Sequence, residues 1–278
     1  MRVDAHVHFW GPAELELYEW MTPEMAAIRR PFTPMDLRGH LEGHGFDCAV
    51  VVQTYSSVAE TRAYLELAET SAFLGGVVGW VDLTDPGIAE TGAELRASPG
   101  GRYLVGVRHQ VHDEPDPDWL RRADVRRGLR ALAEAGLAYD VLVRTRELPA
   151  AIDTARALPE LRFVVDHIAK PPIASGRLEP WAGRLSELAR LEHVWCKLSG
   201  LVTEADWSSW QSSDVLPYAS RVVDWFGEER LVFGSDWPVC TLAADYDAVV
   251  ALAEQIVGAG NEQVFGGNCE RLYGLPRH

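Results

Sequence analysis

Val3-Asp4-Ala5-His6-Val7-His8-Phe9-Trp10-Gly11-Pro12 is the stretch that decides the fold. A strand-like run ends in His-Phe-Trp-Gly-Pro, where a doubly wound nucleotide-binding sheet carries a glycine-rich phosphate turn. Without that turn, a closed barrel is the better architecture. Seven more short apolar runs follow, so the predicted strands are 3–9, 48–53, 75–81, 104–110, 138–143, 162–168, 194–198 and 231–236. Each is nearly continuous in apolarity, as a parallel strand buried on both faces should be. Amphipathic segments lie between them. Thr33-Pro34 and Asp85-Pro86 each place a capping side chain before a proline at a first helical position. Leu129, Leu132, Ala133 and Gly136 keep helical spacing. Eight strand–helix units with right-handed crossovers predict a (β/α)₈ TIM-type barrel, with residues 1–278 as a single domain.

Bulk properties narrow the function. A hydrophobic fraction of 47% is enough for a substantial core. The formal charge of −15 argues against nucleic acid and anionic membranes as partners, since both select basic surfaces. It leaves room for a small neutral substrate or an acid product. Two histidines stand where a signal peptide would be uniformly apolar, and no run reaches the length of a membrane span. Cys48, Cys196, Cys240 and Cys269 form no C-x-x-C pair, so reduced thiols in a cytoplasmic enzyme are expected. Cys240 reads as an inert buried thiol, because no histidine neighbours it.

The polar residues of the apolar strands carry the chemistry. His6 and His8 are two apart on a strand, so strict alternation points both the same way. Two converging imidazoles are half of a divalent-metal site, although an isolated H-x-H pair also suits hydrogen-bonded interior histidines. Leu231-Val232-Phe233-Gly234-Ser235-Asp236 ends in a carboxylate, which is costly in a core and useful at a catalytic rim. Phe163-Val164-Val165-Asp166-His167 is likewise polar only at its end. His6, His8, His167 and Asp236 are therefore expected together at the mouth, since strands one and eight are neighbours in a closed barrel. The stretch 10–32 is long for a βα loop and holds Trp10, Tyr18 and Trp20, with a short helix expected around 13–20. It suits a lid or substrate wall, or an ordinary packed insertion.

His6-Val7-His8, Asp166-His167, Gly234-Ser235-Asp236-Trp237-Pro238 and the closing Gly267-Asn268-Cys269-Glu270-Arg271-Leu272-Tyr273-Gly274-Leu275 resemble the amidohydrolase superfamily. More narrowly, Gly106-Val107-Arg108-His109, Asp113-Glu114-Pro115-Asp116-Pro117, Asp166 to Pro172, Lys197-Leu198-Ser199-Gly200-Leu201 and Ser235 to Cys240 are similar to the sugar-acid lactonases. That branch includes L-fucono- and L-rhamnono-lactonases and, more distantly, 2-pyrone-4,6-dicarboxylate lactonase. The fifth strand, Ala138-Tyr139-Asp140-Val141-Leu142-Val143, lacks the histidine of two-metal members. The resemblance thus implies one metal ion at most, and some relatives of the branch open lactones without any.

The expected reaction is ring opening of a lactone by water, with Asp236 as general base. One zinc ion on His6, His8 and Asp236 would polarise the carbonyl. Without metal, His6, His8 and His167 would stabilise the oxyanion. His167 and His109 complete the catalytic set. Arg108, Lys170, Lys197, Trp10 and Trp237 are the expected substrate contacts, Arg108 through its bidentate fork and the indoles through flat faces against a sugar-derived ring. Gln53 and Asp82 are weaker candidates. Lys197 also suits an ion pair with Asp166 or Glu204. A metal-dependent decarboxylase, an amide hydrolase, or a non-catalytic barrel that binds a sugar acid are the other readings.

Overall fold

A computed structural model describes residues 1–275. Its strands are β1 (Val3–Val7), β2 (Cys48–Val52), β3 (Leu74–Gly79), β4 (Leu104–His109), β5 (Ala138–Val141), β6 (Phe163–Val165), β7 (Val194–Leu198) and β8 (Leu231–Phe233). They pair in parallel, in chain order. The ends of the sheet meet above the last paired residues. The His8 N–H donates to the Trp237 carbonyl at 2.7 Å, and the Asp236 N–H donates to the His6 carbonyl at 2.9 Å. The barrel expected from the sequence is the barrel observed.

Helices α1 (Pro34–Gly43), α2 (Val58–Thr70), α3 (Ile88–Ala97), α4 (Ala123–Glu134), α5 (Leu148–Ala157), α6 (Trp181–Ala189), α7 (Ser212–Phe226) and α8 (Tyr246–Val257) follow their strands in turn, and α9 (Asn268–Tyr273) comes last. The α1 start is the expected one, with the Thr33 N–H and hydroxyl both 2.7 Å from the Asp36 carboxylate. Asp85 differs from expectation. Its carboxylate accepts from the Gly87 N–H at 2.8 Å and closes a turn, so α3 begins only at Ile88. No helix among the described residues is long and apolar enough to cross a membrane.

Two apolar layers result from strand alternation. Outward-facing Val7, Val51, Val77, Val107, Tyr139, Val165, Leu198 and Phe233 pack under the helices. Inward-facing Val3, Ala5, Val50, Val78, Val164 and Val232 pack against Leu272, Tyr273 and Leu275, so α9 and the residues after it plug the barrel floor. Strands β1, β6 and β8 end two to three residues earlier than expected, and the chain beyond them turns sharply at the rim. The 10–32 stretch holds a 3₁₀ turn at Glu14–Glu16 and another 3₁₀ segment at Pro23–Ile28 in place of a helix over 13–20. It is packed down, with Trp10, Tyr18, Met21, Ile28 and Phe32 buried.

Candidate active site

The rim begins with a bulge in β1. Between Asp4 and Val7 the pairing to β2 advances three residues against two. This extra residue breaks alternation, so Ala5 belongs to the floor while His6 and His8 reach the interior above it. Asp4 is thereby turned outward. Its carboxylate accepts from the Ser235 N–H at 2.8 Å, the His6 N–H at 3.2 Å and the Tyr246 hydroxyl at 3.0 Å. One buried side chain thus ties the bulge to the turn that carries Asp236. Gly234 makes the fit possible, because a Cβ there would lie 2.6 Å from the His6 Cβ.

The other two site residues sit on left-handed backbone. Asp236 has φ 59°, and His167, Ile168, Ala169 and Lys170 have φ 51°, 46°, 59° and 46°. None is glycine, and each such residue costs about 1–3 kcal/mol. A tertiary and a local bond hold the turn: the Trp181 indole N–H donates to the Ile168 carbonyl at 2.8 Å, and the Lys170 N–H closes onto the His167 carbonyl at 2.8 Å. Gly200 lies so close that a Cβ there would fall 2.5 Å from His167 Nδ1.

The four rim side chains converge. His6 Nε2 lies 3.1 Å from His8 Nε2 and 3.8 Å from Asp236 Oδ1. Asp236 Oδ1 is also 3.4 Å from His8 Nε2 and 4.0 Å from His167 Nε2. All four are buried but for a few per cent of their surface. Burial pushes the imidazoles of His6 and His8 below their ordinary pKa, and His167 down to about 4. Burial alone would raise Asp236, but the adjoining imidazoles of His167, His8 and His6 hold it below the usual carboxylate range. Near neutral pH the site is therefore a carboxylate facing unprotonated rings.

Beneath them lies a buried ion network. Lys197 donates to Asp140 Oδ2 at 2.5 Å and lies 3.1 Å from Asp166 Oδ1 and 3.0 Å from His6 Nδ1. Tyr273, from the plugging helix, donates to Asp140 at 2.8 Å. Arg108 Nη1 donates to Asp166 Oδ2 at 3.1 Å and faces His6 Nε2 at 3.2 Å, while Nη2 donates to the Gln53 carbonyl. Burial raises Asp140 to about 6 against the pull of Lys197. Asp166 stays well below its ordinary value because Lys197, His6 and Arg108 outweigh its burial. Three carboxylates thus face two cations around the imidazoles, one negative charge in excess.

That donor set fits a divalent cation. The His8 Nδ1 lies 2.7 Å from the Val52 carbonyl, which fixes the proton on Nδ1 and leaves the Nε2 lone pair in the site. His167 Nδ1 is similarly engaged by the Ser199 hydroxyl at 2.9 Å. Ligand atoms of His6, His167 and Asp236 lie within 4.8 Å of one another. Nitrogen and carboxylate ligands in this number suit zinc.

The remaining candidates fall elsewhere. Adjacent strand residues face opposite sides, so Arg108 takes the interior and His109 does not. His109 stacks on Trp119 at 4.2 Å, accepts from the Trp80 indole at 3.0 Å and contacts Glu114 at 2.7 Å. Lys170 is paired to Glu204 at 2.5 Å near the surface. Trp10 donates to the Arg30 carbonyl at 2.7 Å within a cage of Tyr18, Trp20 and Phe32. Trp237 is buried among Phe9, Phe32 and His40. The structure brings neither indole to the imidazole–carboxylate group. Gln53 joins the network through Arg108, whereas Asp82 closes a turn onto Thr84. All four cysteines are free and buried. Asp140, Ser199 and Tyr273 are not among the residues singled out from the sequence. The readable signal for Asp140 was a carboxylate inside one apolar strand and a lysine inside another, each needing a partner.

The amidohydrolase family model matches residues 3–275. The chain belongs to the amidohydrolase family. It is 42% identical to an L-fucono-1,5-lactonase of Burkholderia ambifaria, over 99% of this chain and 96% of that protein. A second L-fucono-1,5-lactonase, from Burkholderia multivorans, is 38% identical over 99% and 97%. A crystal structure of an amidohydrolase from Burkholderia multivorans with bound zinc is 38% identical, with a TM-score of 0.92 over 99% of this chain and 100% of that one.

Proposed function

We propose that this amidohydrolase opens the six-membered lactone of a sugar-derived acid by attack of water at the carbonyl. The observation that carries this reading is the meeting of Asp236 with His6, His8 and His167 at the barrel mouth. The full-length similarity to two L-fucono-1,5-lactonases supports the substrate class.

Asp236, ionised and buried, is the general base. It takes a proton from the attacking water as the new C–O bond forms. When the tetrahedral intermediate collapses, the carbonyl carbon–ring oxygen bond breaks, and the Asp236 carboxyl returns that proton to the departing ring oxygen. The product is a hydroxy acid, which ionises at neutral pH. His6, His8, His167 and Asp236 would hold the metal ion, and when bound it supplies positive charge to the developing oxyanion. His167, braced by Ser199, and His8, braced by Val52, are thereby fixed in orientation. Arg108, held by Asp166 and the Gln53 carbonyl beneath the imidazoles, supports the site from below, and Lys170 is held by Glu204 near the surface. The four buried thiols and the single small substrate fit a cytoplasmic enzyme of carbohydrate breakdown.

A panel of five- and six-membered aldonolactones, followed by acid release near neutral pH, tests this reading. It is run before and after chelation, with metal content measured on the same sample. Preferential opening of a six-membered sugar lactone is expected. Failure to open any lactone above the spontaneous rate, with metal present, would contradict it.

A further inference from the structure

His6 is an imidazole of the site whose proton is contested by neighbours of opposite demand. Its Nδ1 faces two opposite partners in the buried layer: the Lys197 ammonium at 3.0 Å, which can only donate, and Asp166 Oδ1 at 3.5 Å, which can only accept. On the other side of the ring, His8 Nε2 at 3.1 Å presents a lone pair, since its Nδ1 is committed to the Val52 carbonyl. Arg108 Nη1 also faces Nε2, at 3.2 Å, but it already gives a hydrogen to Asp166 Oδ2 at 3.1 Å. Lys197 and His8 therefore favour one tautomer, with the proton on Nε2 and Nδ1 accepting.

Ligation through Nε2 demands the other tautomer. The proton must leave Nε2, and Nδ1 must then carry one and donate it. Asp166 Oδ1 is suited to receive it, being a fully buried carboxylate oxygen 3.5 Å from Nδ1 whose other neighbour is the Lys197 ammonium at 3.1 Å. A carboxylate oxygen has two lone-pair sites, so it can accept from protonated Nδ1 while keeping its ion pair with Lys197. Lys197 keeps Asp140 and Asp166 as ion-pair partners when it loses the His6 lone pair.

We infer that Lys197 and Asp166 are the two arms of a tautomer switch on His6, Lys197 holding Nδ1 unprotonated without a metal and Asp166 accepting from protonated Nδ1 when a divalent ion occupies Nε2. The proton count on the ring is unchanged: one proton goes from Nε2 to water and one comes from water to Nδ1. Both residues are positioning residues, since they act only through His6. The inference rests on the metal-site part of the proposed function and deepens it.

The test is nitrogen-15 NMR of histidine-labelled full-length protein, chelated and then loaded with zinc, with His6 assigned by its loss in His6→Gln. The expected result is that His6 Nδ1 reads as unprotonated in the chelated protein and protonated in the zinc-loaded one. Zinc bound at His6 with Nδ1 in the same protonation state before and after would overturn the inference, as would ligation through Nδ1. These failures differ from failure of the lactonase reading, which is scored by lactone turnover on the same sample. As a second arm, Asp166→Asn weakens zinc affinity about 10–100-fold, read by competition with a chelator. Unchanged affinity in a folded Asp166→Asn protein would also count against the switch.

Discussion

The two halves of the barrel interior use the same eight strands for opposite purposes. Below, Val3, Val50, Val164, Val232 and the plugging Leu272 and Leu275 form an apolar floor. Above, at the next inward positions, stand His6, Arg108, Asp140, Asp166 and Lys197, all nearly without solvent contact. The floor is stabilised by area removed from water, about 25 cal/mol per Å² of apolar surface. The upper layer gains nothing from burial and is tolerated only because each charge faces an opposite one. Strand walls therefore serve stability at one end and chemistry at the other. The Tyr273 hydroxyl, reaching from the plug to Asp140, is where the two meet.

That contrast can be broken from either end. Lys197→Ala removes the cation from between Asp140 and Asp166, so unfolding in urea should show a loss of about 3–5 kcal/mol. A loss below about 1 kcal/mol would mean that the upper layer is not held by charge pairing. On the floor, Leu272→Ala should cost about 2–5 kcal/mol of stability while kcat/KM on a lactone stays near that of the parent. Gly234→Ala sits at the boundary. Its Cβ would strike His6, so about 1–3 kcal/mol of overpacking should come with a loss of activity that the floor variant does not show.

The smallest effect concerns pH. Burial raises Glu60, which lies under Tyr18 and Thr54 at the edge of the rim, to about 7 from an ordinary 4.5. Between those values the folded protein keeps a proton that the unfolded chain releases. Its contribution to stability is thus complete below pH about 4.5 and lost as pH rises through about 7. Glu60→Gln should flatten the fall in melting temperature between pH 5 and pH 8, and an unchanged slope would rule the group out.

Most of the barrel was legible because parallel buried strands announce themselves as short apolar runs, and all eight appear near their expected places. The site was legible to the extent that polar residues at strand ends are too costly to be idle. His167 and Asp236 follow from that argument, whereas His6 and His8 rest on strand alternation, which suits hydrogen-bonded interior histidines as well. Three things were hidden. The bulge in β1 carries no local marker, because its cause is Asp4 reaching Ser235 and Tyr246 far along the chain. The left-handed turn at 167–170 contains no glycine, so nothing in its sequence signals positive φ. Trp10 and Trp237 look like sugar platforms by composition, yet their surroundings are set by Phe32, which serves as packing for both.

The central claim is that Asp236 works as a base inside the imidazole cluster, and its most direct measurement is turnover of a six-membered aldonolactone by Asp236→Asn. The amide keeps the shape of the side chain but cannot take the proton. With circular dichroism and melting temperature matching the parent, kcat should fall by about 10²–10⁴-fold. A folded Asp236→Asn protein that turns over within a few-fold of the parent would contradict the account.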